Sequence, residues 1–144
     1  MKVEIKNRWN GEVLYSGEYA SLKEAVEAVV KAGANLCDAD LTGADLTGAK
    51  VGKGGDEATL VGSRPVVQIG PIGSRNDWFL VFWCGDSGVR ISTGCQQQIT
   101  EAYFLERLAK AHGEGEQANI HAKHYIEALA FAKRLLKDQQ DGAL

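Results

Sequence analysis

Residues 77–84 read DWFLVFWC, and this stretch decides the fold that we predict. Every residue after Asp77 is apolar, whereas a strand with one solvated face alternates apolar and polar side chains. A short apolar run between polar and glycine residues is typical of a strand that is covered on both faces. The run therefore predicts a central strand of a sheet.

Two further β-rich stretches flank this run, RPVVQIG at 64–70 and GVRIST at 88–93. The segment GDSG at 85–88 fits a turn between the central strand and the later one. GDSG also matches the nucleophile loop of trypsin-like proteases. All three histidines follow it, however, and the chain is too short for the two barrels of such an enzyme. We therefore interpret GDSG as a turn.

The C-terminal part has the 3.6-residue period of helices, from about 97 to 111 and from about 118 to 137. The glycine-rich HGEGE separates the two segments and predicts an antiparallel helix hairpin against the sheet. We expect residues 138–144 to be a frayed tail. The predicted inner face of the second helix consists of Ile120, His124, Tyr125, Ala128, Leu129, Ala132 and Leu136.

The N-terminal part predicts a β-hairpin and a helix. Alternating runs surround Asn10 and Gly11, a pair typical of a type I′ turn. In SLKEAVEAVVKAG, Ser21 and Glu24 form a capping-box pattern, and Gly33 is placed to end the helix. The expected buried stripe is Leu22, Ala25, Val26, Val29 and Val30.

Residues 34–53 divide into the five-residue units ANLCD, ADLTG, ADLTG and AKVGK. They resemble the pentapeptide-repeat family, in which central Leu and small Ala side chains pack inside a square β-coil. Four units make one turn of such a coil, so we expect an ordered structural connector. Residues 52–64 predict a flexible loop. The matching positions are Ala34, Leu36, Ala39, Leu41, Ala44, Leu46, Ala49 and Val51.

The composition excludes several classes of protein. The chain has 144 residues and a net charge of −3, which fits one domain over 1–144 and disfavours binding to a nucleic-acid polymer. No apolar run is long enough to cross a membrane, and the start lacks a signal-peptide pattern. Three cysteines without CxxC spacing favour a reducing compartment. The predicted fold class is α+β, with an antiparallel sheet against a C-terminal helix hairpin.

The stretch IGPIGSRNDW at 69–78 has two interpretations, a sharp turn or a cradle for an anion. Gly70 and Gly73 allow backbone N–H groups to converge on an anion. Ser74 and Arg75 add a hydroxyl and a guanidinium, and Asn76 could bind a base or a ribose. Arginine also replaces lysine throughout residues 55–108. The pattern lacks the context of a Walker or Rossmann loop, so it does not settle the choice.

The stretch STGC at 92–95 favours the anion interpretation. Thr93 and Gly94 follow a predicted strand and precede a predicted helix, where hydroxyl and free N–H groups bind phosphate. Cys95 could instead be a nucleophile, but nothing in the sequence places a base beside it. His121 and His124 are spaced for one helix face, yet no carboxylate or cysteine completes a metal site. We predict neither a metal nor a cofactor.

The order of these motifs resembles the first family of Thoeris anti-defence proteins of phages. Members of that family are oligomeric, non-enzymatic sponges for cyclic ADP-ribose-type signals, and some also hold cyclic oligonucleotides at a separate site. The resemblance implies that Phe104 stacks on the ligand and that Arg75, with Arg90 or Arg134, grips the phosphates. It also implies that the loop of His112 closes over the ligand. Two residues depart from the family pattern, Gln96 and an acidic Glu114.

The resemblance implies a cytoplasmic protein of an infected bacterial cell that sequesters a cyclic nucleotide signal without cleaving it. We expect a homo-oligomer, a dimer or a hexamer, that contacts no membrane. An interaction module that inhibits a host protein is the alternative. A hydrolase using Cys95 and a histidine is a third possibility.

Overall fold

The computed structural model describes residues 1–41, 45–52, 56–62, 64–94 and 96–141. The chain begins with strands β1 (Lys2–Lys6) and β2 (Val13–Glu18) and helix α1 (Leu22–Lys31). Two short paired strands follow, β3 (Lys50–Val51) and β4 (Ala58–Thr59). The main sheet consists of β5 (Val66–Ile72), β6 (Asp77–Trp83), β7 (Val89–Thr93) and β8 (Gln96–Thr100). Helices α2 (Glu101–His112) and α3 (Ile120–Gln140) complete the fold.

The main sheet is antiparallel with the order β5-β6-β7-β8, so β6 is paired on both sides. Val81 of β6 is opposite Val67 of β5 and Ile91 of β7. The turn between β6 and β7 contains a short 3-10 helix, Gly85–Ser87. The prediction of a central strand followed by a GDSG turn is therefore confirmed.

Side chains of β6 enter two separate cores. The first core is the cluster around Val26, Leu36, Leu46, Leu80 and Phe82, on the side of the hairpin and α1. The second core lies under α2 and α3 and consists of Val67, Phe79, Val81, Val89, Ile91, Phe104, Leu108, Ala122, Tyr125, Leu129, Ala132 and Leu136. Successive strand residues point to opposite faces, so an unbroken apolar run buries both faces of the sheet.

The C-terminal helices cover one face of the sheet. Helix α3 packs on β5 and β6, while α2 packs on β7 and β8. Lys133 Nζ of α3 binds Glu101 Oε1 of α2 at 2.9 Å, which links the two helices. The predicted α+β class is confirmed.

The boundaries of both C-terminal helices differ from the prediction. Residues 96–100 form β8, so the first helix begins at Glu101, and its cap is Thr100, whose Oγ1 accepts from Tyr103 N at 3.2 Å. The Gln-rich segment QQQIT has little periodicity of its own, so its pairing with β7 makes it a strand rather than part of the helix. Helix α3 continues through Gln140, so residues 138–140 of the expected tail are helical; 142–144 lie outside the described residues.

The inner face of α3 is also narrower than predicted. Tyr125, Leu129, Ala132 and Leu136 are buried, and Ala128 is half-buried. Ile120 and His124 are exposed instead. Ile120, the first residue of the helix, is 57% exposed.

The N-terminal elements confirm the predicted helix but not the turn type. The Ser21 side chain accepts from Glu24 N, and the Glu24 carboxylate accepts from Ala20 N, both at 3.2 Å. In the hairpin, Gly11 has a φ of 75°, but the φ of Asn10 is not positive. A type I′ turn requires both, so that prediction is wrong. Asn7 organises a longer loop instead, as its side chain accepts from Trp9 N at 2.7 Å.

The repeat segment packs as its resemblance implies. Leu36, Leu41, Leu46, Val51, Ala39 and Ala49 are buried in the first core; Ala34 is half-buried, and Ala44 lies outside the described residues. Since one turn of coil cannot enclose a core of its own, these side chains share one with α1 and β6.

The segment predicted as a flexible loop, 52–64, is partly built into the same core. Ala58 and Thr59 form β4, and Leu60 is buried. Leu60 N donates to Ala49 O at 2.8 Å, which extends the pairing of the two short strands. Residues 53–55 and 63 lie outside the described part.

Candidate functional site

A cavity of about 370 Å³ lies where the β5–β6 and β7–β8 turns meet α2 and α3. We call it the cationic cavity. Six of the predicted site residues line it: Ser74, Arg75, Thr93, Gly94, Phe104 and His112. The structure therefore brings the two glycine-containing stretches, separate in sequence, to one wall.

The charge of the lining favours an anion. Arg75, Arg107, Lys110 and His112 line the cavity, and none of its lining residues in the described chain is acidic. Neither Arg75 nor Arg107 has a hydrogen bond or an ion pair with any described residue. Lys110 pairs with Glu106 at 3.0 Å, but both side chains are exposed and such pairs are weak. Two guanidinium groups are thus available to a phosphate.

Gly73 lies directly behind this wall, where the Tyr125 side chain packs against the glycine. A Cβ atom at Gly73 would lie within van der Waals overlap of the Tyr125 hydroxyl, and Gly73 has a φ of 82°. Asn76 does not line the cavity: its N–H donates to Gly73 O at 3.1 Å and closes the turn. The glycine therefore has a packing role, and Asn76 has a turn role.

Phe104 does not provide the stacking surface that the resemblance implies. Its side chain is only 3% exposed. Its ring centroid lies 5.5 Å from that of Phe79 and 5.9 Å from that of Tyr125. The inward face of α2 carries Phe104 into the second core, since Leu108 one turn later is also buried. Phe104 therefore forms the floor of the cavity.

His112 is oriented by the residue that caps α3. Asn119 Nδ2 lies 3.0 Å from His112 Nδ1. An amide nitrogen can only donate, so Nδ1 accepts, and the ring proton of the neutral form is on Nε2. The ring of His121 lies 5.6 Å away, and its Nδ1 is buried without a partner among the described residues. Within the described ranges, no three His, Cys, Asp or Glu side chains cluster as metal ligands do.

Arg90 and Arg134 are not at the cationic cavity, so the geometry does not support their assignment to this site. Arg90 is 8% exposed and binds the Asp56 carboxylate at 3.0 Å and Gln98 O at 3.1 Å. Its neighbours Val89 and Ile91 on β7 face the second core, so the Arg90 side chain points to the other face of the sheet. Arg134 is exposed on α3. Glu114 is also outside the lining.

Sequence reasoning missed Gln96, Arg107, Lys110 and Tyr125, which also line the cavity. Arg107 and Lys110 are three residues apart on α2, and that spacing could have shown a cationic helix face beside the predicted site. Gln96 Oε1 is buried without a described partner. Cys95, between Gly94 and Gln96, lies outside the described residues. The hypothesis that its thiol is a nucleophile therefore stays a prediction from the sequence.

Comparison with known proteins identifies one segment. The family model of pentapeptide repeats matches residues 32–52, which confirms the repeats read from the sequence. No curated protein and no solved structure matches the chain. Among the described residues, no helix combines the length and apolar character needed to cross a membrane.

Proposed function

We propose that this protein binds a phosphate-bearing cyclic nucleotide signal, a cyclic ADP-ribose isomer or a cyclic oligonucleotide, and holds it without cleavage. The observation that carries the proposal is the pair of guanidinium groups of Arg75 and Arg107, which have no partner among the described residues, on a cavity lined by no acidic described residue. Phosphate oxygens accept charge-assisted hydrogen bonds from such groups. The role of a phage anti-defence sponge follows from the resemblance of its motifs to the Thoeris anti-defence family.

Retention without turnover fits the chemistry of the described lining. Hydrolysis of a phosphate or glycosidic bond needs a placed base or nucleophile. The described lining offers hydroxyl groups, amide groups, cations and one histidine, whose Nδ1 is engaged by Asn119. Such groups bind and orient an anion. The proposed protein therefore acts by lowering the free concentration of the signal.

The experiment is a titration by calorimetry with a cyclic ADP-ribose isomer and with a cyclic dinucleotide. We expect Arg75→Ala to weaken binding by roughly 10- to 100-fold, because charge-assisted hydrogen bonds contribute about 1.5–3 kcal/mol. Arg134→Ala is the matched control, since that arginine is exposed and outside the cavity. Equal losses from both variants would indicate a general charge effect.

The fate of the ligand separates a sponge from a hydrolase. Heating the complex should release the ligand with its mass unchanged. A hydrolysed product that disappears in Cys95→Ala would instead support an enzyme.

An interaction module is the second candidate, and exposed apolar side chains on α3 favour it. Ile126 and Phe131 are 48% and 49% exposed. A second copy of this chain, in the proposed dimer or hexamer, or a host protein could cover them. Light scattering of wild type, Ile126→Ser and Phe131→Ser distinguishes these cases: a loss of oligomer assigns the substituted side chain to self-association. Absence of heat with every nucleotide would favour the host-protein module.

A further inference from the structure

The carbonyl oxygen of Gly94 receives two side-chain donors from behind the cationic cavity. Asn35 Nδ2 donates to it at 3.0 Å and Gln97 Nε2 donates to it at 3.2 Å. Asn35 belongs to the first pentapeptide unit, whereas Gln97 belongs to β8. The repeat segment therefore contacts the cavity wall through a specific backbone atom.

Both donating amides are held in orientation by the repeat backbone. Asn35 Oδ1 accepts from Cys37 N at 2.8 Å. Gln97 Oε1 accepts from Leu36 N at 3.3 Å. Since each amide oxygen is occupied by a backbone N–H, each NH₂ group is directed toward Gly94. The two amides thus link the backbone at 35–37 to the Gly94 carbonyl.

Gly94 in turn provides the surface on which Arg75 rests. Its φ of 56° is in the left-handed region, and a Cβ atom there would lie 3.1 Å from Arg75 Nη1. The guanidinium therefore packs against the bare face of this glycine. A shift of the Gly94 peptide would move the support of Arg75 and change its position in the cavity.

We propose that the pentapeptide segment pre-organises the ligand cavity, with Asn35 and Gln97 as positioning residues that hold Gly94 as the support of Arg75. Neither residue needs to touch the ligand. The inference rests on the proposed function, because it assigns the repeats a role in that same site. Holding a binding group in place before the ligand arrives reduces the ordering cost of binding.

The first test needs no ligand. Asn35→Asp retains the acceptor for Cys37 N but replaces the donor to Gly94 O with a repelling oxygen. We expect amide hydrogen exchange in the peptide 92–97 to become about tenfold faster in the free protein, because the turn opens locally. Asn10→Asp is the control, since it adds the same charge on the β1–β2 loop, where Asn10 Oδ1 accepts from Glu12 N. Unchanged exchange in Asn35→Asp overturns the inference.

The second test is a double-mutant cycle on nucleotide affinity, with the neutral change Asn35→Ala. We expect Asn35→Ala to weaken binding about tenfold in the wild-type background and less than about twofold in Arg75→Ala, because the two residues act through one contact. Equal losses in both backgrounds overturn the inference, as they show an effect that does not pass through Arg75. If Asn35 had only a structural role, its substitution would lower the melting temperature, and its effect on affinity would not depend on Arg75.

The two tests separate the inference from the proposed function. If wild type binds no nucleotide, the proposed function fails, and the exchange experiment still decides whether Asn35 holds the turn. If wild type binds and Asn35→Ala binds equally well, the positioning role fails while the proposed function stands.

Discussion

Gly73 and Tyr125 meet at the contact between the β5–β6 turn and α3. The Tyr125 hydroxyl lies against Gly73, and its ring lies 5.7 Å from that of Phe79 in the second core. The turn thus approaches the helix closely because one residue lacks a side chain. This contact places Ser74 and Arg75 at the cavity.

The glycine pair Gly73 and Gly11 isolates the steric part of this contact. Both have a positive φ, 82° and 75°, but a Cβ at Gly11 meets nothing within 4 Å. We expect Gly11→Ala to lower the free energy of unfolding by about 1–2 kcal/mol from backbone strain alone. Gly73→Ala should cost about 1–3 kcal/mol more, because Tyr125 has to move. Urea unfolding measures both, and equal costs would contradict the close packing.

Cys84 is a buried thiol beside a buried cation. Burial raises the pKa of Cys84, and the nearby Arg90 charge opposes part of that rise. The thiol of the unfolded chain ionises near roughly pH 8.5. The folded thiol stays neutral at that pH, so stability is fully present below it and falls as the pH rises toward the higher folded pKa.

We therefore expect the unfolding free energy of wild type to fall between about pH 8 and 10, by at most about 1.4 kcal/mol per pH unit from this group. Cys84→Ala should show a shallower decline, whatever its stability at pH 7. Urea unfolding at four pH values provides the measurement. Parallel declines in the two proteins would contradict the assignment to Cys84.

At the scale of elements, the repeat segment is a structural layer as well as a cavity support. Its inward side chains fill the first core together with α1 and the Leu80 face of β6. Deleting such a side chain leaves a cavity that the surrounding structure only partly closes. The segment should therefore contribute to stability like a core element.

Leu46 tests this contribution. We expect Leu46→Ala to lower the free energy of unfolding by about 2–5 kcal/mol, since its side chain is fully buried. Leu105→Ala is the control, because Leu105 is exposed on α2 and alanine suits a helix. If both variants unfold at the same denaturant concentration, burial of the Leu46 side chain does not stabilise the fold.

At the scale of the whole molecule, β6 joins the two cores. Trp78, Leu80 and Phe82 contact the first core, while Phe79, Val81 and Trp83 contact the second. Loss of either core would leave one face of the sheet uncovered. Unfolding should therefore be a single event.

The tryptophans report on this coupling. We expect tryptophan fluorescence and helix circular dichroism to give one coincident denaturant transition, the mark of two-state unfolding. Leu80→Ala and Val81→Ala, one in each core, should each shift the whole transition. Two separated transitions, with only one shifted by each variant, would show that the cores unfold independently.

Local patterns in the sequence determined much of the fold. The apolar run at 77–84 predicted a strand buried on both faces, and the Ser21–Glu24 pair predicted the start of α1. The pentapeptide units predicted which side chains point inward. Each of these signals is a periodic pattern or a capping pair between residues that are near in sequence. The order of the residues is therefore sufficient to predict the element. Strand β8 was missed because its pairing with β7, rather than its own pattern, decides its structure.

The cavity was decided by tertiary structure. Ser74 and Arg75 were predicted from a glycine-rich turn, and Thr93 and Gly94 from the N-terminus of a helix. The second prediction was wrong about the context, because β8 follows Gly94 and the helix begins only at Glu101. Antiparallel pairing brings the β5–β6 and β7–β8 turns to one wall. The docking of α2 and α3 then added Arg107, Lys110 and Tyr125, buried Phe104, and left Arg134 outside. Which side chains share a cavity depends on strand register and helix docking between residues far apart in sequence, and no local period encodes those distances.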